Sequence, residues 1–267
     1  MDEPLCVLRG GGDIGTGVAW RLTRAGWPVV VLELARPLTV RRSVALSSAV
    51  LEGRVDVEGM VGRRVADSAE ALAVARDGDV AVLVSPRLTA LDPRVVVDAR
   101  LAKRNLDTTI DDAGLVIGLG PGFTAGVDCH AVVETQRGHR LGRVCWHGSA
   151  AADSGVPGVV GTKGAERVLR APAAGVVTWE LGIGDTVDAG ETLGTVGGEP
   201  VTAPFHGLVR GLIAPGTTVR PDTKIGDVDP RVHLGAEREI SDKALAVGGG
   251  VVEAVLTWLA RSSQEAR

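Results

Sequence analysis

Three groups of residues in this sequence have the types and spacing to do chemistry. Gly10, Gly12 and Gly15 form a Gly-x-Gly-x-x-Gly run, with Asp13 inside it, directly after a short apolar stretch. Glu33 follows eighteen residues past Gly15, at the end of the next apolar run. Such a run brings backbone amides and a helix N-terminus up to a pyrophosphate, while the acid accepts hydrogen bonds from a ribose hydroxyl. A carboxylate there repels a 2′-phosphate, which favours NAD-like or adenosine-type ligands over NADP. The plainer alternative is a glycine turn in a fold that binds no nucleotide. A second run, Gly118-Leu119-Gly120-Pro121-Gly122-Phe123, is either another anion loop or a tight turn. The third group is Glu134, Arg137 and His139. A guanidinium can grip phosphate bidentately and an imidazole can move a proton. The alternative there is a surface ion pair.

Two further groups are less specific. Asp227 and Asp229, beside Lys224 and Arg231, could hold a hard divalent cation or simply cap turns. Cys145 and His147 share one strand face and could form a soft-metal or persulfide site, as could Cys129 with His130. A small core thiol beside a solvated histidine is the simpler reading of both.

These residues need elements to position them. Leu5–Leu8, Val29–Leu32, Val80–Val84, Val95–Val97 and Leu115–Ile117 are continuous apolar runs, as expected of strands buried on both faces. Val18, Ala19, Leu22 and Ala25 recur at helical spacing after the first glycine run, and Gly26 ends that helix. Strands alternating with helices predict a mostly parallel sheet covered on both faces. Residues 151–164, rich in Gly, Ser and Asp, read as a linker. Beyond them lies an internal repeat. Ala171-Pro172-x-x-Gly175 matches Ala203-Pro204-x-x-Gly207, and Gly184 and Val187 recur as Gly216 and Val219 at the same offset. Two such units resemble the lipoyl and biotinyl carrier fold. The turn that would carry the modified lysine, Thr195–Val201, contains none, so no covalent lipoate or biotin is expected. Near the end, Ser241 reads as a helix N-cap, and Gly248-Gly249-Gly250 either breaks the helix that follows or packs tightly against something.

Composition limits the function classes. The 267 residues include 37 Gly, no Tyr and two Phe, yet 45% are hydrophobic, which excludes disorder. A net charge of −4 gives no global field for nucleic acid, and the lack of aromatics removes a base-stacking platform. No signal peptide or membrane partner is expected, because no unbroken apolar run nears the ~18 residues a bilayer requires. Three scattered cysteines suit a reducing, cytoplasmic setting.

Several motifs then combine: RGGGDIGTGVAWRL, an Arg-Arg pair, VVVDARLAKRN, GLGPGFTAG, VVETQRGHRLG, GTKGAERVLRAPAAG, KIGDVDPR and SDKALAVGGGVVEAVL. In order and spacing the chain resembles the YqeB family, accessory proteins of selenium-dependent molybdenum hydroxylase systems, from about residue 8 to 256. The resemblance implies a part in making, modifying or inserting the molybdenum cofactor. It carries over Gly10, Gly12, Asp13 and Gly15, then Asp98 and Lys103, and Gly120, Pro121 and Gly122. It also carries Glu134, Arg137 and His139, Asp227, Asp229 and Arg231, and Ser241, Asp242 and Lys243. Two segments depart from the family pattern: RRSVALSSAV, and Ser85 where an aspartate is expected.

The expected architecture is α/β. A Rossmann-like, mostly parallel nucleotide-binding domain covers residues 1–165. A small all-β barrel-sandwich domain of lipoyl/biotinyl type covers 166–230, and a C-terminal helical segment over 231–267 packs on the first. Glu134, Arg137, His139 and Lys103 are the catalytic candidates. Gly10, Gly12, Asp13, Gly15, Glu33, Gly120, Pro121 and Gly122 are the cofactor-binding candidates, and Asp227 and Asp229 the metal candidates. The cofactor expected is the molybdenum cofactor or an NAD-type nucleotide, and the partners are a molybdenum hydroxylase client and other maturation proteins. An NAD-dependent oxidoreductase is the alternative.

Overall fold

A computed structural model describes residues 4–89, 91–153, 155, 158–159 and 161–265. The linker over 151–164 is therefore described only in part. Strands β1 (Cys6–Arg9), β2 (Val29–Glu33), β3 (Arg54–Val57), β4 (Met60–Val65), β5 (Val80–Val84), β6 (Val95–Asp98) and β7 (Leu115–Leu119) belong to one large sheet. A short β8 (Thr124–Ala125) follows, then β9 (Ala131–Val133) and β10 (Val144–Cys145), which rejoin that sheet, and β11 (Gly148–Ser149), which pairs with β8. The nine strands run in the order β10-β9-β7-β6-β1-β2-β5-β4-β3. Helices α1 (Asp13–Arg24), the four-residue α2 (Ala49–Glu52), α3 (Ser68–Arg76) and α4 (Asp242–Glu265) surround it.

Side chains alternate across the central strands and divide the core into two layers. Cys6, Leu8, Val29 and Val31 face α1 and α4. Val7, Val30, Leu32 and Val96 face the opposite layer, where α3 contributes Ala71, Val74 and Ala75. The glycines of α4 neither break nor bend this arrangement. A Cβ on Gly248 would lie 2.5 Å from the Gly17 carbonyl oxygen of α1, and one on Gly17 would lie 2.6 Å from the Ala244 backbone. The two helices therefore meet backbone to backbone. By length and composition α4 could cross a bilayer, and it is the only such helix among the described residues. Its Ala244, Val247, Val251, Ala254 and Val255 are buried in the core instead.

The expected fold class is corrected on two counts. The large sheet is mixed: β4 through β9 form a parallel centre, but β3 and β10 run antiparallel at its edges. The β3–β4 hairpin turns at Glu58-Gly59, and its strands carry exposed Arg54, Asp56, Arg63 and Arg64, so no apolar run announces it. The second count concerns the repeat. Its strands are β12 (Val168–Arg170), β13 (Gly175–Trp179), β14 (Thr186–Val187), β15 (Thr192–Val196), β16 (Glu199–Thr202), β17 (Gly207–Leu212), β18 (Thr218–Val219) and β19 (Lys224–Asp229). They form two separate antiparallel sheets, β12-β19-β17-β14 and β16-β15-β13-β18, not a lipoyl-like barrel domain. Strands of one repeat copy pair with strands of the other, β14 with β17 and β13 with β18. The offset in the sequence shows that the copies are equivalent. It carries no information about which strands share hydrogen bonds.

This β-rich unit is tied to the α/β part through the Arg-Arg pair. Arg42 Nε donates to the Leu212 carbonyl at 2.7 Å, and Arg41 donates to the Glu239 carbonyl at 2.9 Å.

Candidate functional site

The parallel strands all deliver their carboxyl ends to one side. Order reverses between β6 and β1, which lie adjacent although one is the sixth strand and the other the first. At such a switch the loops after neighbouring strands part and leave a crevice. Here the crevice is a cleft of about 1300 Å³. It is edged by Gly10 and Gly12 after β1, Glu33 after β2, Pro86 after β5, Lys103 after β6, Pro121 after β7 and Glu134 after β9. The opposite wall comes from the β-rich unit and the start of α4, through Arg167, Arg210, Lys224, Asp227 and Lys243. Leu34, Leu38 and Leu106 form an apolar lip, each about half exposed.

The first glycine run lines this cleft through Gly10 and Gly12. Gly12 caps α1 without a side-chain hydrogen bond, so the helix end opens toward the ligand space. Asp13, at the first helical position, pairs with Arg41 at 3.0 Å. Glu33 does more than wait for a ribose. One carboxylate oxygen accepts from the Gly11 amide at 2.8 Å, and the other from the Leu34 amide at 2.7 Å. It thus pins the glycine turn. Gly15 lies inside the packing, where a Cβ would come within 2.2 Å of the Gly10 carbonyl oxygen.

In the second glycine run only Pro121 reaches the cleft. A Cβ on Gly120 would meet Thr135, and one on Gly122 would lie 2.5 Å from the Arg104 Cα. Gly10 packs on the backbone of Ala99 and Arg100 in the same way. Both glycine runs therefore grip the loop after β6. In that loop Leu101 and Lys103 hold positive φ angles of 51° and 62°, a conformation non-glycine residues seldom adopt. At its base Asp98, 2% exposed, accepts from Arg100 and from Thr108 Oγ1, while Arg9, 3% exposed, donates to Asp107 and Thr108. Arg9 and Arg100 lie within the quoted RGGGDIGTGVAWRL and VVVDARLAKRN motifs, but neither is singled out by the sequence as a site residue. Lys103 pairs with Asp153 of the linker at 2.8 Å.

In the third group Glu134 and Arg137 line the cleft and His139 does not. Glu134 is buried and accepts from the Gln136 and Ala151 amides, both at 2.7 Å, which fastens the linker to β9. Arg137 forms a bidentate pair with Asp242, at 2.6 and 2.9 Å, and so locks the start of α4 rather than standing free for phosphate. That pairing holds the Asp242 carboxyl at about 2, below its ordinary 3.8. His139 is exposed and lies outside the cleft lining. Asp227 pairs with Arg167, and Asp229 with Arg231 at 2.8 Å, so guanidinium groups occupy the proposed metal ligands. No cluster of three metal-ligating side chains occurs among the described residues. None of the three cysteines lines the cleft. Cys6 and Cys129 are buried, and burial pushes the Cys129 thiol up to about 11.

With this geometry in place, the chain can be set beside known proteins. No family model matches it. It is 47% identical over 255 residues to the Uncharacterized protein YqeB of Escherichia coli (strain K12). That similarity supports the YqeB resemblance. It covers 94% of this chain but 47% of YqeB, so the chain spans about half the length of the curated relative it matches. The name YqeB comes with no stated activity. Two solved structures are also similar. One is an aspartoacylase family protein from Mesorhizobium loti, 13% identical, covering 87% of each chain at a TM-score of 0.29. The other is a succinylglutamate desuccinylase/aspartoacylase from Rhodobacter sphaeroides, 24% identical, covering 25% of this chain and 22% of that one at 0.22.

Proposed function

We propose that this protein binds a phosphate-bearing cofactor, a nucleotide or the nucleotide-bearing molybdenum cofactor, and acts as an accessory protein in molybdenum hydroxylase maturation. The observation that carries the reading is the cleft. It exceeds the roughly 300–1,000 Å³ of ordinary small-molecule sites and lies at the carboxyl ends of the parallel strands. The group fits the residues present. Arg41, 7% exposed, and Arg210 both line the cleft, and the Nε of each lacks a hydrogen-bond partner among the described residues. Buried donors without partners are costly, and these two guanidinium groups give the cleft wall positive charge that suits an anionic ligand. When bound, such a cofactor would supply the metal or redox chemistry to a client enzyme. The protein's part is to hold it. The uncapped end of α1 and Gly12 would approach its phosphate, and the leucine lip would cover its ring system without aromatic stacking. The molybdenum context rests on the resemblance to the YqeB family alone. Selenium, if carried, would travel on the ligand, because no thiol faces the cleft.

The test is gentle anaerobic purification followed by native mass spectrometry and elemental analysis. A bound nucleotide or pterin phosphate, with molybdenum after incubation with cofactor, is the expected result. A chain that stays empty after incubation with molybdenum cofactor, ADP and NAD overturns the reading. NAD bound alone, with hydride transfer to a substrate, would instead favour the oxidoreductase alternative.

A further inference from the structure

The cleft wall opposite the glycine loops carries a charge pattern that the motifs do not explain. Three of its cations are already matched. Arg41 pairs with Asp13, Arg167 with Asp227, and Arg137 with Asp242. Lys224 and Lys243 have neither a hydrogen bond nor an ion pair among the described residues. Arg210 comes no nearer than 3.8 Å to Asp229, whose carboxylate is already held by Arg231. Beside this group Glu134 has no cationic partner and is held by two amides, as is Glu33 at the glycine loop across the cleft. The local balance is two unpaired lysines, and an arginine that shares its one aspartate with Arg231, against one carboxylate held by amides.

These cations come from two parts of the fold, the β-rich unit and α4. Arg210 lies on β17, Lys224 on β19, and Lys243 in the first turn of α4. Gly12 and Asp13, at the N-terminus of α1, line the same cleft as Arg210, Lys224 and Lys243, so the three cations and the helix end face one space.

Resting on the cofactor reading above, we propose that Lys224, Lys243 and Arg210 form a composite subsite for a dianionic phosphoryl group, clamped against the N-terminus of α1. The charge balance matches a ligand end bearing about two negative charges, as a terminal phosphate or a pyrophosphate does. Its occupation would join the α/β part, the β-rich unit and α4 through one group. Desolvation within the cleft lowers the pKa of both lysines, although Lys224 is itself exposed, and repulsion from Arg137 and Lys224 adds to the effect on Lys243. An anion between them would remove that penalty.

The experiment is calorimetric titration of the full chain with inorganic pyrophosphate, inorganic phosphate and ADP. The variants are Lys224→Met, Lys243→Met, the double substitution and the double arginine replacement. The expected result is a roughly tenfold loss of affinity per lysine removed, with near-complete recovery in the arginine pair and unchanged melting temperatures. Tighter binding of ADP or pyrophosphate than of phosphate identifies a nucleotide-type source. Equal binding of phosphate identifies a free tetrahedral oxyanion at the same subsite. Wild-type affinity in the double methionine variant overturns the subsite while leaving the cofactor reading standing. Failure of the wild type to bind any of the three probes also overturns the subsite, and the cofactor reading falls with it only if the chain stays empty after incubation with molybdenum cofactor and NAD as well.

Discussion

The two glycine runs look alike in sequence and differ in use. The first, Gly10 to Gly15, opens on the cleft and leaves a helix end uncapped. The second, Gly118 to Gly122, is spent on packing: Phe123 covers Gly118, Thr135 covers Gly120, and the Arg104 backbone covers Gly122. Glycine supplies both close approach to a ligand and close approach of backbone to backbone, and the motif does not say which. The contact at the missing Cβ does. Gly12 has only Thr39 Oγ1 at 3.6 Å, whereas Gly122 has backbone at 2.5 Å.

Substitution at these two positions separates the roles. Gly122→Val places a branched side chain at φ +105° and against the Arg104 backbone. A loss of about 3 kcal/mol or more is expected, lowering the melting temperature by roughly 10 °C in thermal denaturation. A Gly122 variant that melts like wild type but no longer binds ligand would restore the anion-loop reading of the second run. Gly12→Val has ordinary backbone geometry and open space, so it should cost about 1 kcal/mol or less in stability. It should weaken pyrophosphate or nucleotide binding at least tenfold in the titrations, because the side chain projects where the ligand approaches. Unchanged affinity there would remove the first run from the site.

The same division explains what could be read from the sequence. β1, β2, β5, β6 and β7 were legible because a strand buried on both faces needs an unbroken apolar run, and Val and Leu supply it. The β3–β4 hairpin and the antiparallel edges were not, since exposed Arg63 and Arg64 on β4 break any such signal. Gly10, Gly12, Glu33, Lys103 and Glu134 were named from motifs or the YqeB resemblance, and all reach the cleft. Arg9, Arg100 and Arg210 were not, because arginines on β1, in the loop after β6 and on β17 share no spacing to recognise. Of the two readings offered for Arg137, the ion pair is the one seen, and its partner Asp242 could not be named because it lies 105 residues away.

That pair offers a smaller test of shape against ligand. Asp242→Asn removes the charged partner, and because Asp242 is largely exposed the cost should be about 0.5–1 kcal/mol. The folded-state pKa lies below the unfolded one, so this stabilisation is present above pH 3.8 and fades as pH falls toward about 2. Urea melts of wild type and variant should therefore converge between those values. A gap that persists at pH 2 would mean the aspartate acts through packing. Ligand affinity lost without any change in stability would return Arg137 to the binding site.

The smallest effect is expected at a glycine with neither use. Gly249 sits mid-helix between Gly248, packed on α1, and Gly250, packed on the Gly142 carbonyl, and nothing lies within 4 Å of its absent Cβ. Alanine there should lower the entropy cost of the helix with no clash, raising stability by about 0.5–1 kcal/mol. Alanine at Gly248 should do the reverse, because its Cβ would meet the Gly17 carbonyl oxygen at 2.5 Å. Chemical denaturation of the two variants reads the contrast directly. Equal destabilisation by both would mean that α4 tolerates no side chain anywhere along the triplet, and that contact at the Cβ is a poor guide to what a glycine does in this chain.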